Sequence, residues 1–98
     1  MPRRRVRIDL EILRLPEWLE AIDDVCLRRT LSEALVARGE AVQFGAMRKH
    51  RAKGEIASGD RTVEQIASGR YTGEAACKRA ADALRKYTHA LDLAAANE

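Results

Sequence analysis

Apolar and charged residues alternate from Arg5 to Ile12. Val6, Ile8, Leu10 and Ile12 are apolar, and Arg5, Arg7, Asp9 and Glu11 carry charge. A period of two predicts a half-buried strand. Beyond it the spacing lengthens to the three-to-four residues of helices. A strand with no mate in its own chain leaves a row of backbone donors and acceptors unpaired, and the same strand of a second copy can satisfy them. The pattern therefore predicts a homodimer paired through this strand.

Pro16 suits the first position of a helix, and Glu17 and Glu20 suit its positive end. Trp18, Leu19, Ile22, Val25 and Cys26 fall on one face, which Arg28 and Arg29 close. Thr30-Leu31-Ser32-Glu33 has capping-box spacing and predicts a second helix, with Leu31, Leu35 and Val36 as its stripe and Gly39 as its end. A third segment is expected from Glu40 to Lys53, carrying Val42, Phe44 and Met47 and stopped at Gly54. Its basic end reads as cations facing the negative pole of that helix. Residues 54–62 have loop composition. Thr62-Val63-Glu64-Gln65 opens a short helix that ends at Ser68-Gly69, and Thr72-Gly73 opens the longest one, to about Ala94. On that helix Cys77, Ala80, Ala81, Leu84, Thr88 and Leu91 share one narrow face. The words Ile56-Ala57-Ser58-Gly59 and Ile66-Ala67-Ser68-Gly69 repeat, and both read as helix stops. The expected fold is mainly α, four to five helices with one N-terminal β-strand. It forms a single domain over 1–98, with strand-helix-helix in 1–39 and a helical remainder in 40–98.

Composition changes the picture in two ways. Seventeen of the 98 residues are alanine, and thirteen of the twenty Leu, Ile and Val residues precede position 37. The core is thin, which favours association with a second subunit. Net charge is only +3, yet the charges are blocked. Arg3, Arg4, Arg5 and Arg7 crowd the start, Glu17, Glu20, Asp23 and Asp24 follow, and Arg48, Lys49, Arg51 and Lys53 surround His50. A last block holds Lys78, Arg79, Arg85 and Lys86. Such asymmetry predicts separate basic and acidic faces.

Cys26 and Cys77 have no metal-type spacing and read as small core residues in a reducing compartment. No apolar run approaches the length of a membrane span, and the Arg-rich start lacks the apolar region of a secretory leader. A cytoplasmic chain without membrane contact is expected. Catalysis is not: Asp23 and Asp24 are adjacent and diverge on a helix, and His50 and His89 have no ligand spacing to a carboxylate pair or a cysteine. No cofactor, metal or catalytic residue is assigned.

The passage Leu13-Arg14-Leu15-Pro16-Glu17-Trp18-Leu19-Glu20-Ala21-Ile22-Asp23-Asp24, followed by Ser32-Glu33-Ala34, resembles the strand-to-helix passage of ribbon-helix-helix repressors. The resemblance covers about 35 residues. It implies two chains pairing one strand each, with outward side chains in the DNA major groove. On this chain those are Arg5, Arg7 and Asp9, and guanidinium groups suit the paired acceptors of guanine. A second resemblance, at 62–87, is to helix-turn-helix regulators. Ile66, Ala67, Cys77, Ala81 and Leu84 stand at that family's core spacings, which would put Thr72, Glu74, Lys78 and Arg79 near the start of a recognition helix.

The expected function is a small DNA-binding transcriptional regulator, a repressor or a plasmid- or phage-encoded accessory factor, on double-stranded DNA. Arg3, Arg4, Arg48, Lys49 and Arg51 would hold phosphates. Arg5 and Arg7, or alternatively Lys78 and Arg79, would read bases. The alternative is a helical protein-interaction module, such as an antitoxin, inhibitor or adaptor, that meets an acidic protein partner. The two differ in charge geometry, because a DNA binder needs its basic blocks on one face.

Overall fold

The structure, a computed structural model, describes residues 17–96. These form four helices: α1 (Glu17–Glu20), α2 (Val25–Gln43), α3 (His50–Ala67) and α4 (Gly73–Ala95), with a 3₁₀ turn at Ala46–Arg48. No strand occurs among the described residues, so where the expected class was mainly α with one β-strand, the described part of the chain is all-α. The strand expected over Arg5–Ile12 lies outside the described residues, as does the pairing on which the homodimer was argued.

The helix boundaries move for local reasons. Residues 17–29, expected as one helix, break over 21–24, and the helix restarts at Asp24. Its backbone is extended and its carboxylate accepts the Leu27 amide at 3.1 Å, so Asp24 is the N-cap of α2. From there a single helix runs through the expected boundary at Thr30. The Ser32 hydroxyl donates back to the Arg28 carbonyl at 2.9 Å instead of capping a new start. Leu27, Leu31, Ala34, Leu35 and Ala41 form one continuous buried stripe, and this is why the helix does not stop at Gly39. The real stop is Gly45, at φ 94°, a left-handed geometry that glycine adopts without steric cost. It splits the segment expected over Glu40–Lys53 and leaves Phe44 and Met47 exposed.

The stretch 54–62, whose composition predicts a loop, lies inside α3. Ala52, Ile56, Gly59, Val63 and Ile66 are its buried stripe, at alternating steps of four and three. The two Ile-Ala-Ser-Gly words therefore differ in role. The first is helix interior. The second is a stop: Gly69 lies at φ 86°, its amide bonds the Ile66 carbonyl at 3.0 Å and the Arg70 amide bonds the Gln65 carbonyl at 3.1 Å, the Schellman pattern.

α4 packs along both α2 and α3. The starts of α2 and α4 meet at Cys26 and Cys77, so those helices run parallel. Along α3 the contacts pair Lys49 with Ala96, Glu55 with His89 and Asp60 with Tyr87, so α3 and α4 are antiparallel. The buried face of α4 is Ala76, Ala80, Ala83, Tyr87, Ala90 and Ala94, rather than the predicted Cys77–Leu91 stripe. Ala81 and Thr88 are exposed, and Leu84 and Leu91 are half-buried. Five alanines on one face let two helices approach closely, and the larger leucines fill the flanks of the resulting grooves.

Candidate functional site

Three side chains from three helices meet where Tyr87 crosses the bundle. Tyr87 is fully buried, and its hydroxyl donates to Asp60 Oδ1 at 2.5 Å. The Arg38 guanidinium grips the same carboxylate through both oxygens, at 2.7 and 2.9 Å. Gly59 makes room for the ring, since a Cβ there would lie 2.6 Å from Tyr87 Cε1. Burial first, and the Asp60 charge next, raise the Tyr87 hydroxyl far above its ordinary titration range, so it stays protonated. A proton held that firmly in a fully buried position is a structural lock between α2, α3 and α4. Nothing in the local spacing of Arg38, Asp60 and Tyr87 marks them in the sequence, and the Gly-Ser-Asp composition around Asp60 points toward a loop.

The expected DNA contacts separate in space. Arg3, Arg4, Arg5 and Arg7 lie outside the described residues. Arg48 ends the 3₁₀ turn and Arg51 lies in the first turn of α3, both exposed. Lys49 is committed elsewhere: its ammonium donates to the α4 carbonyls of Ala96 at 2.8 Å and Leu93 at 3.4 Å. The basic run thus does face a negative helix pole, but that of α4 and not of its own helix, whose positive end it occupies. At the other end of α4, Lys78 is exposed, while Arg79 lies over the Tyr71 ring, 4.8 Å from its centroid, and donates to the Tyr71 hydroxyl at 2.8 Å. Arg79 also lies 4.0 Å from Asp82, which pairs with Arg85. At ~1.5 Å per residue, Lys78 and the Lys49 contact at Leu93 are about 22 Å apart along α4.

No protein-family model, no curated protein and no solved structure matches this chain.

Cys26 and Cys77 form a disulfide, with Cα atoms 6.4 Å apart. This corrects the reading of both as reduced core residues. Cys26 is exposed, Cys77 is half-buried, and the Thr30 hydroxyl lies 4.0 Å from Cys77 Sγ. The positions at helix-turn-helix spacing scatter as well. Ile66 is buried, Ala67 and Ala81 are exposed, and Cys77 is in the disulfide. His89 bonds Glu55 at 3.0 Å on the α3–α4 surface. Among the described residues no three side chains of metal-ligand type converge, and no helix is long and apolar enough to cross a membrane.

One surface combines features that the sequence pattern separates. At the α2–α3 corner Phe44 is 62% exposed and Met47 42% exposed. Arg48, His50 and Arg51 follow directly, all exposed. The Arg48 guanidinium folds back over Gly45, where a Cβ would come within 3.1 Å of it. The αL turn at Gly45 is what throws the aromatic ring outward beside the cations. Phe44 carries the apolar period of the expected third helix, so its exposure becomes visible only once Gly45 is known to break that helix.

Proposed function

We propose that this chain is a helical protein-interaction module, and that its α2–α3 corner receives an acidic partner segment with an apolar face. The observation that carries the reading is the exposed pair Phe44 and Met47, followed within four residues of chain by the exposed Arg48 and Arg51. Aromatic side chains, Met and Arg are the residue types enriched at the centres of protein interfaces, where an apolar anchor is ringed by charge. Phosphate binding alone has no use for an exposed Phe and Met. Arg51 also sits at the positive end of α3, where a cation is locally unfavourable. An acidic partner would reverse that sign.

The DNA-binding regulator expected from the blocked charge has less support from this geometry. Its candidate base-reading pair Lys78 and Arg79 and its phosphate-holding run at Arg48–Arg51 lie at opposite ends of α4, and one cation of each is held within the chain, Lys49 by carbonyls at the end of α4 and Arg79 by Tyr71. A cytoplasmic location is proposed with the module and would place the disulfide in reducing surroundings.

A direct test uses two fluorescent probes at ~50 mM salt, a helical peptide with Glu on one face and Leu and Phe on the other, and an unrelated DNA duplex. The peptide is expected to bind saturably, and Phe44→Ser and Arg51→Glu to abolish binding while Lys78→Glu leaves it intact. Duplex binding that weakens steeply with salt and disappears when Arg3, Arg4, Arg5 and Arg7 are replaced would overturn the module reading in favour of the regulator. Peptide binding indifferent to Phe44→Ser would overturn the assignment of the corner.

A further inference from the structure

The Cys26–Cys77 bond occupies an exposed cleft of about 450 Å³ lined by Asp24, Glu74, Lys78 and Ala81 together with the two cysteines. It lies at the end of the bundle opposite the Phe44–Arg51 corner, since Cys77 begins α4 and Lys49 touches its last carbonyls. The non-covalent ties at this end are looser than in the middle of the bundle. Asp24, Val25 and Cys26 are exposed, Leu27 keeps 8% of its surface in solvent, and the first side chain of α2 sealed from solvent is Leu31. α1 is held by Leu19, with Trp18 and Ile22 only partly buried against the core, and by the Arg28 guanidinium, which donates to the Ile22 carbonyl at 2.8 Å. The rest of the bundle has its own fastenings, the Arg38–Asp60–Tyr87 lock and the Lys49 cap, and neither involves the cysteines.

From this distribution we infer that the disulfide is a thiol-addressable latch, which on reduction releases α1 and the first turns of α2 and leaves the α3–α4 hairpin closed. The two sulfurs have unequal roles. Cys26 is the exposed one, so an incoming thiolate attacks Cys26 Sγ, the S–S bond breaks, and its electron pair leaves on Cys77 Sγ. The Thr30 hydroxyl, 4.0 Å from that sulfur, has nothing to accept a proton from on an oxidised cysteine and donates to the thiolate as it forms. A second external thiolate then attacks the external sulfur of the mixed disulfide, forms the external disulfide and releases Cys26 as a thiolate that takes up a proton. In sum two external thiols are oxidised to their disulfide, and the protein cystine takes up two electrons and two protons to become two cysteines. The released segment is the one joined in sequence to the Arg3–Arg7 block. The inference does not depend on the partner assigned to the Phe44 corner.

The full-length chain tests it directly. Purified without reductant, it should show no alkylatable thiol, and brief exposure to glutathione should leave the mixed disulfide on Cys26 and not on Cys77 by peptide mapping. Hydrogen exchange followed by mass spectrometry should then compare oxidised and dithiothreitol-reduced protein. Exchange over 17–30 is expected to rise roughly tenfold or more, with 50–67 and 76–94 unchanged. Cys26→Ser should reproduce the reduced pattern without reductant. Free thiols in the oxidised chain, glutathione on Cys77, no change on reduction, or a rise across all helices would each overturn the latch. The wild-type comparison decides even where the variant does not fold.

Discussion

Two glycines of the same helix should respond to the same substitution with opposite sign. Gly54 and Gly59 both lie inside α3. At Gly54 an added Cβ meets nothing within 4 Å, so Gly54→Ala acts through backbone entropy alone and should stabilise by about 0.8–1 kcal/mol. For a domain of this size that raises Tm by roughly 4–8 °C. Gly59→Ala gains the same propensity but places its Cβ 2.6 Å from Cε1, 2.9 Å from Cζ and 3.0 Å from Cδ1 of Tyr87. The ring is fully buried and tethered by the 2.5 Å bond to Asp60, so it cannot swing away without losing that bond. Either α3 and α4 part, at an overpacking cost of about 1–3 kcal/mol, or the tether breaks, at about 1.5–3 kcal/mol. The propensity gain offsets only the lower end of either range, leaving a net loss of about 0–2 kcal/mol. Thermal unfolding followed by circular dichroism would measure both variants. In a Tyr87→Leu background the penalty at Gly59 should shrink, because the ring that opposes the Cβ is gone. If Gly59→Ala raised Tm as Gly54→Ala does, the tight α3–α4 contact at Tyr87 would be refuted.

Asp60→Ala strips the acceptor from both Arg38 and Tyr87 and should cost roughly 2–4 kcal/mol in urea titrations, since a part-buried guanidinium and a buried hydroxyl both lose their partner. Adding Arg38→Ala to that variant should cost little more, and fully additive losses would mean that the three side chains do not act as one unit. Tyr87 also sets an alkaline limit. Its hydroxyl titrates far above the ordinary 10.0 in the folded chain, so the stability it contributes is present below pH 10.0 and falls as pH rises beyond it. The slope is up to about 1.4 kcal/mol per pH unit. Tyr87→Phe should lose about 1.5–3 kcal/mol at neutral pH and decline less steeply above pH 10.0. Parallel declines in the two proteins would remove Tyr87 as the cause.

What the chain determines by local sequence is where helices stop when a backbone event stops them. Ser68-Gly69 ends α3, and Thr72-Gly73 opens a helix whose observed span, Gly73–Ala95, differs from the expected one by about a residue. Both depend on groups within a few residues of one another. The basic residues of the candidate corner were equally legible as a charge run, but their employment was not, because Lys49 finds its acceptors at Leu93 and Ala96. Tertiary structure decided whatever depends on distant partners. Ser58-Gly59-Asp60 reads as loop chemistry, yet it is helical because Gly59 admits the Tyr87 ring and Asp60 binds its hydroxyl. The α4 face that is buried is alanine except at Tyr87, where Gly59 on α3 makes room for the ring. Cys26 and Cys77 are 51 residues apart and carry no motif; only the parallel alignment of α2 and α4 brings them together. A local signal lowers the energy of a conformation in one segment, whereas packing couples segments whose separation along the chain erases any pattern.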